Sequence, residues 1–312
     1  MRAGRARVDG GDPGMTGPDT TELPDPLIRP ETLHRLSEHV HLVPDGSRAR
    51  VPNVGIVVGE RRALVVDTGM GAENGARVLA AARSVAGERP LLLLTTHTHP
   101  EHDLGAGAFP PDVVLLRARS QVRELETTAP AVADDFRAAS PHYRRLLEGA
   151  VFRPADIVFD DAIELDLGGV AVLITAMGTN HTEGDTVALV REDRVLFAGD
   201  LAMAGAPAFA SPHSRIGPWL RSLERLRSMA PAIIVPSHGP TGGPELIDGY
   251  DAHLRRVLDR VMELRAAGAG SDEVLRTVVA ERGRDFGDTG RLEGAVRAAL
   301  REDHDERTGG SR

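Results

Sequence analysis

The chain contains no cysteine. Disulfides, thiolate ligands to a metal and a cysteine nucleophile are all excluded, while reducing and oxidising compartments stay equally open. Lysine is absent as well: all 37 basic residues are arginine, along the whole chain, which reads as genome composition rather than function. Basic charge is in deficit, with 46 acidic residues and a net charge of −9, so a polyanion such as nucleic acid is not an expected partner. Aromatic residues make up only 3%, so the core must be built from Leu, Val, Ile and Ala. No apolar run approaches the length of a membrane span. Met1 to Pro26 is rich in Gly, Pro, Asp and Arg and lacks the apolar middle of a signal peptide. It is expected to be a disordered leader, and the protein cytoplasmic.

What the chain does contain is Thr96-His97-Thr98-His99-Pro100-Glu101-His102-Asp103. Three histidines and a carboxylate fall within six residues, directly after Leu91 to Leu94. Neutral imidazole and carboxylate are the side chains that hold zinc and similar divalent cations, and such close packing of them has little structural use. The leucine run reads as a buried strand, so the histidines stand where a strand opens into a loop. Further candidates lie downstream. His181 sits in the polar loop Gly178-Thr179-Asn180-His181-Thr182-Glu183-Gly184-Asp185. Asp200 ends Val195-Leu196-Phe197-Ala198-Gly199, and His238 ends Ile233-Ile234-Val235-Pro236-Ser237. Several strands ending at one edge, each delivering a ligand, is how a sheet builds a metal centre.

The order His97-x-His99-x-Glu101-His102, His181, Asp200, His238 resembles the signature of the metallo-β-lactamase superfamily. The resemblance covers roughly Val40 to Gly239 and includes Val65-Val66-Asp67-Thr68-Gly69, similar to the family's early aspartate turn. It implies an α/β fold, a four-layer αββα sandwich. It implies two divalent metal ions, zinc first, with iron or manganese as alternatives. His97, His99 and His181 would hold one ion, Glu101, His102 and His238 the other, and Asp200 would bridge them. It implies a hydrolase that attacks a small ester, thioester or lactone carbonyl with a metal-bridging hydroxide, Glu101 or Asp200 orienting it or carrying a proton. One position departs: Glu101 stands where the family usually has aspartate. The side chain is one methylene longer, so the geometry at the second ion must differ. Three other readings stay open on the same fold: a phosphodiesterase or nuclease, an iron-dependent relative of persulfide dioxygenases, and a metal-binding protein without turnover.

The chain divides into the leader 1–26, a main domain 27–245, a helical extension 246–302 and a disordered tail 303–312. Strands are expected at 40–43, 54–58, 63–67, 91–96, 113–116, 157–159, 163–167, 170–175, 186–190, 195–197 and 233–235. Helices are expected at 72–86 and 219–228, with a helical insertion over 120–147 split near Pro141. In the extension, Leu254, Val257, Leu258, Val261 and Leu264 recur at helical spacing. Ser271 reads as the N-cap of a helix through Ala280, and a last helix runs from Arg291 to Leu300. This extension has three possible uses: packing on the core, covering the site, or forming a homodimer.

Around the ligands, Asp103 is expected either to cap a helix starting at Leu104, the favoured reading, or to support a ligand from behind, and Asp67 to fix its own turn and the ligand loop. Asp185 reads equally as structural or as a support for a ligand. Asn180, His213, Arg215 and Trp219 are the candidate substrate contacts, for a small-molecule substrate. For Trp219 the competing reading is a core residue beneath a Pro-bounded loop. Met203 to Ala210 is small and flexible, a candidate lid. The histidines at 34, 39, 41, 142, 253 and 304 read as surface or packing residues.

Overall fold

The computed structural model describes residues 26–203, 213–283 and 289–308. The expected leader, the candidate lid and the extreme C-terminus fall outside these, apart from Pro26, Met203 and residues 303–308.

The first half opens with β1 (His34–Arg35), β2 (Val40–Val43), β3 (Val54–Val58) and β4 (Ala63–Val66), then α1 (Gly71–Ala86), β5 (Leu91–Leu94) and the short α2 (Pro100–Asp103). β6 (Val114–Ala118) leads into three helices, α3 (Arg119–Thr127), α4 (Ala129–Ala139) and α5 (Pro141–Leu146), and β7 (Ile157–Phe159) follows. The second half holds β8 (Ala162–Asp166), β9 (Ala171–Gly178), β10 (Asp185–Val190), β11 (Val195–Gly199), α6 (Ile216–Ser228) and β12 (Ile233–Pro236). The described residues end with α7 (Glu245–Ala266), α8 (Ser271–Arg282) and α9 (Thr289–Thr308).

Two sheets result, one in the order β1-β2-β3-β4-β5-β6-β7 and one in the order β12-β11-β10-β9-β8. β4 to β7 pair parallel, as do β11 and β12; the other pairs are antiparallel. Successive strand side chains point to opposite faces, and the cores follow that period. Leu64, Val66, Leu94 and Leu116 pack inward against Val172, Ile174, Val195 and Phe197 of the other sheet. Ala63, Val65, Leu91, Leu93 and Leu115 pack outward against Val78, Ala81 and Ala82 of α1. Leu196 and Ala198 face the opposite way, onto α6 and the C-terminal helices. The layers are therefore helix, sheet, sheet, helices. Both faces of each sheet are covered, which is why strands such as Leu91–Leu94 are continuous apolar runs. Gly55 lets the sheets approach: a Cβ there would lie 2.1 Å from the Phe197 ring.

The α1 sequence is Ala-rich, a strong helix former, and it stops at Gly87, whose φ of 59° is one that residues with a side chain rarely adopt. The insertion breaks at Thr128 as well as at Ser140, because Pro130 and Pro141 each sit in the first turn of a new helix. Two expectations are corrected. Asp103 does not cap a helix at Leu104: Pro100 starts the helix earlier, Asp103 is its last residue, and its carboxylate is turned to Arg117. Ser271 is the first residue of α8, and Gly270 is the N-cap. Of the uses open to the C-terminal helices, packing on the core is visible. Ile247, Leu254, Val257, Val261, Val274, Leu292 and Val296 join one cluster with Leu196 and Ile234. No helix among the described residues is long and apolar enough to cross a membrane.

Candidate metal centre

The topology brings the histidines and carboxylates to one edge. β4 and β5 are parallel, so Asp67 and the loop from Thr95 leave their sheet on the same side. β11 and β12 are also parallel, which sets Asp200 beside His238. β10 runs antiparallel to β11, so His181, just before β10 begins, lies where β11 ends. The edges of the two sheets are joined where the Thr186 N–H donates to the Thr96 carbonyl at 2.8 Å.

Asp67 organises the first loop. It has a φ of 67°, left-handed for a residue with a side chain. Its Oδ1 accepts the Thr96 N–H at 2.7 Å, and its Oδ2 accepts the Thr96 hydroxyl at 3.0 Å and His102 Nδ1 at 2.9 Å. The expectation that Asp67 fixes the ligand loop is met. With Nδ1 donating, His102 presents Nε2 to the site, the arrangement in which a carboxylate raises the basicity of an imidazole ligand. Burial alone would lower the His102 pKa, but Asp67, Asp200 and Glu101 outweigh it and bring it to about 9. His97 and His99 go the other way: burial, reinforced by neighbouring imidazoles, holds both well below the ordinary histidine value. They are neutral, the form that can bind a cation.

Behind this loop, Asp103 and Arg117 form a two-pronged ion pair in which both side chains are fully buried, and both also reach the Thr95 hydroxyl. The alternatives for Asp185 are resolved. Its Oδ2 accepts the N–H groups of His181 at 2.7 Å and Thr182 at 3.0 Å, and its Oδ1 accepts the Thr182 hydroxyl at 2.8 Å. It shapes the backbone of the His181 loop. His238 is oriented by the Val51 carbonyl, 2.9 Å from its Nδ1.

Three groups of side chains then converge, with ligand-type atoms within 4.8 Å of one another: His97, His99 and His181; His97, His102 and Asp200; Glu101, His102 and His238. Asp200 lies between them. One of its oxygens is 3.3 Å from His181 Nε2; the other is 4.0 Å from His102 Nε2 and 3.8 Å from His238 Nε2. His99 Nδ1 and His181 Nε2 stand 3.1 Å apart, close to the roughly 3.3 Å separating two nitrogens on one tetrahedral zinc. His97 Nε2, His102 Nε2 and Glu101 Oε2 are buried without a hydrogen-bond partner. Buried polar atoms ordinarily have partners. Orphans such as these, spread over the clustered groups, fit bound cations.

The candidate substrate contacts separate. Trp219 is fully buried, its indole N–H donating to the Leu201 carbonyl at 3.0 Å and its ring 5.9 Å from that of His181. It is a core residue beneath the ligand, not a substrate contact, because no part of it reaches the surface. Asn180 is also fully buried and donates to the carbonyls of Met177 and Gly178, closing the end of β9. His213 is exposed and 3.3 Å from Glu183. Arg215 is half-buried at the start of α6. Between them Ser214 donates its hydroxyl to the His181 carbonyl at 2.8 Å.

Residues not singled out in the sequence line the other side. Arg50, on the loop between β2 and β3, meets Glu101 Oε1 at 3.2 Å and lies over the Phe136 ring, 4.7 Å from its centroid. Burial would raise the Glu101 pKa, but Arg50 and the imidazoles bring it down to about 2. Asp45 and Asn53 bracket the Arg50 loop and tie it to the strand carrying His238. Gly239 N–H donates to Asp45, and the Asn53 amide donates to the carbonyls of Pro236 and Gly239, each at 2.8 Å.

An αββα sandwich with a buried histidine–carboxylate cluster at one edge defines a class of protein, the metallo-hydrolase fold. The chain belongs to the metallo-β-lactamase superfamily, whose sequence pattern matches residues 47–238. It is 29% identical over 225 residues to the bovine acyl-coenzyme A thioesterase MBLAC2, covering 64% of this chain and 76% of that one. Its fold matches a metallo-beta-lactamase from Pontibacter korlensis (18% identity, TM-score 0.59, 72% of this chain and 98% of the other). It also matches the inverting sec-alkylsulfatase Pisa1 from a Pseudomonas species (14% identity, TM-score 0.68, 86% of this chain and 50% of the other). Membership and the clustered side chains together support a metallo-hydrolase.

Proposed function

We propose that the protein is a hydrolase of a small ester, thioester or lactone, an acyl thioester foremost, working with two divalent ions, zinc first. The observation that carries the reading is the division of Asp200, one oxygen toward His181 and the other toward His102 and His238. A carboxylate in that position offsets the repulsion between two cations. His97, His99 and His181 would hold one ion; Glu101, His102 and His238 the other. Bound ions would supply an acidified water and polarise the substrate's carbonyl oxygen. The chain's own part is to keep His97 and His99 neutral, to direct His102 through Asp67 and His238 through Val51, and to bury the cluster so that charges act strongly. The bovine relative, by its name an acyl-coenzyme A thioesterase, favours the thioester within this class. The substrate is a small molecule, and the setting expected from the sequence is the cytoplasm.

The test is elemental analysis of purified protein followed by a panel of thioesters, lactones, β-lactams and phosphodiesters. We expect close to two metal ions per chain and turnover of a thioester or ester. Asp200→Ala should lower kcat/KM by more than about 100-fold, beyond the loss usual for outer-sphere changes, while far-ultraviolet circular dichroism stays native. Full activity in metal-free protein, or wild-type turnover in Asp200→Ala, rejects the proposal.

A further inference from the structure

Arg50 is an expensive residue to keep where it is. Its backbone is left-handed, with a φ of 60°, a conformation that is strained for a residue with a side chain. Its cation is largely removed from water, with 16% of the side chain exposed. The loop that carries it is held firmly. Asp45 N–H donates to Asn53 Oδ1 at 2.8 Å, and the Val51 carbonyl, one residue on, is 2.9 Å from His238 Nδ1. The guanidinium is positioned by Glu101 on one side and the Phe136 face on the other. Phe136 lies in turn 6.3 Å, centroid to centroid, from His99. Arg50 therefore flanks the cluster between Glu101 and the wall formed by α4.

Neutralising Glu101 does not by itself explain a cation there. A divalent ion held by Glu101 Oε2, the buried orphan oxygen, would supply that neutralisation. A centre loaded with divalent ions would be positively charged as a whole, and Arg50 adds a cation at its flank. The molecule as a whole has a net charge of −9 and repels anions at a distance. A half-buried arginine at the flank of the cluster is what an anionic ligand would need, since the planar guanidinium binds carboxylate, sulfate and phosphate oxygens in well-defined geometry.

We infer that Arg50 is a specificity-determining residue that binds an anionic oxygen group on the substrate, next to the bond that is cleaved. This rests on the hydrolase reading above and narrows its substrate class to esters or thioesters bearing a carboxylate, sulfate or phosphate close to the scissile group. The geometry also gives Glu101 two tasks that an aspartate, one methylene shorter, is less able to combine: Oε1 on Arg50 and Oε2 toward the cluster.

The experiment compares succinate with butyrate as probes of the metal-loaded protein by titration calorimetry, with metal content measured in every sample. The two have the same chain length, and only succinate has a second carboxylate for Arg50. Wild type should prefer succinate by at least about tenfold, the scale of a charge-assisted hydrogen bond. Arg50→Met should bring the ratio near one, and Arg50→Lys should keep part of the preference. The same pair is then read in catalysis, as succinyl and butyryl thioesters, where Arg50→Met should raise KM for the succinyl substrate selectively. No succinate preference in wild type, or the same preference in Arg50→Met at equal metal content, overturns the inference. If Arg50→Met loses metal, the inference fails unless Arg50→Lys, with metal retained, still prefers succinate. Absence of turnover with a binding ratio that collapses in Arg50→Met would reject the hydrolase reading and leave the anion site standing.

Discussion

At the scale of single residues, the site depends on carboxylates that are not themselves in its ligand groups. Asp67 is the clearest case, since it holds both the Thr96 backbone and His102 Nδ1. Asp67→Asn keeps the size but loses the charge, and can present an N–H toward a ring nitrogen that is already donating. We expect the proposed second ion to bind about 10–100-fold more weakly, read as faster loss to a chelator, with the ion among His97, His99 and His181 less affected. Equal retention in both proteins would show that Asp67 only shapes the turn. The residues of the cluster itself were legible in the sequence because three histidines and a glutamate within six residues serve little else. Arg50 was not. It is one arginine among 37, and its meaning comes from Glu101 and Phe136, which are distant in sequence. Trp219 misled for the opposite reason: closeness in sequence to Asp200 says nothing about which way an indole points.

At the scale of elements, α3 forms the backing of two ligand loops. Gln121 donates to the Thr95 carbonyl at 2.8 Å, and Glu124 approaches the Glu183 N–H at 3.5 Å. Burial pushes the Glu124 carboxyl up from 4.5 to about 7. The folded protein thus holds this proton more tightly than the unfolded chain does. The associated stability is complete below about pH 4.5 and is lost as pH rises through about 7. Glu124→Gln, neutral at every pH, should therefore match wild type near pH 5 and exceed it near pH 8 by up to about 3 kcal/mol. Urea midpoints at the two pH values measure this, and an equal difference at both would refute it. The strands were readable because a buried strand advertises itself as an apolar run. The four-residue helix α2 was not: its start depends on Pro100 and its last residue, Asp103, on a buried arginine 14 positions away. Short helices carry too few residues for periodicity to show.

At the scale of the whole molecule, the C-terminal helices share a core with the second sheet. Leu254 on α7 is fully buried there. Leu254→Ala should cost about 2–5 kcal/mol and lower the midpoint of a single thermal transition. Two separate transitions would mean that the helices fold as an independent unit. The αββα layering was legible through family likeness, whereas the docking of α7–α9 on the second sheet was one of three uses that the sequence left open. The stitching of the site has a consequence in time. Asn53 reaches the Gly239 carbonyl across 186 residues, and His238 reaches Val51 across 187. On the ribosome, the first half of the cluster emerges long before its last ligand has been synthesised. A chain interrupted anywhere before His238 lacks the contacts of Asn53 and Val51 to that strand end as well as a complete cage, so capture of the proposed second ion follows synthesis of β12 rather than accompanying early folding.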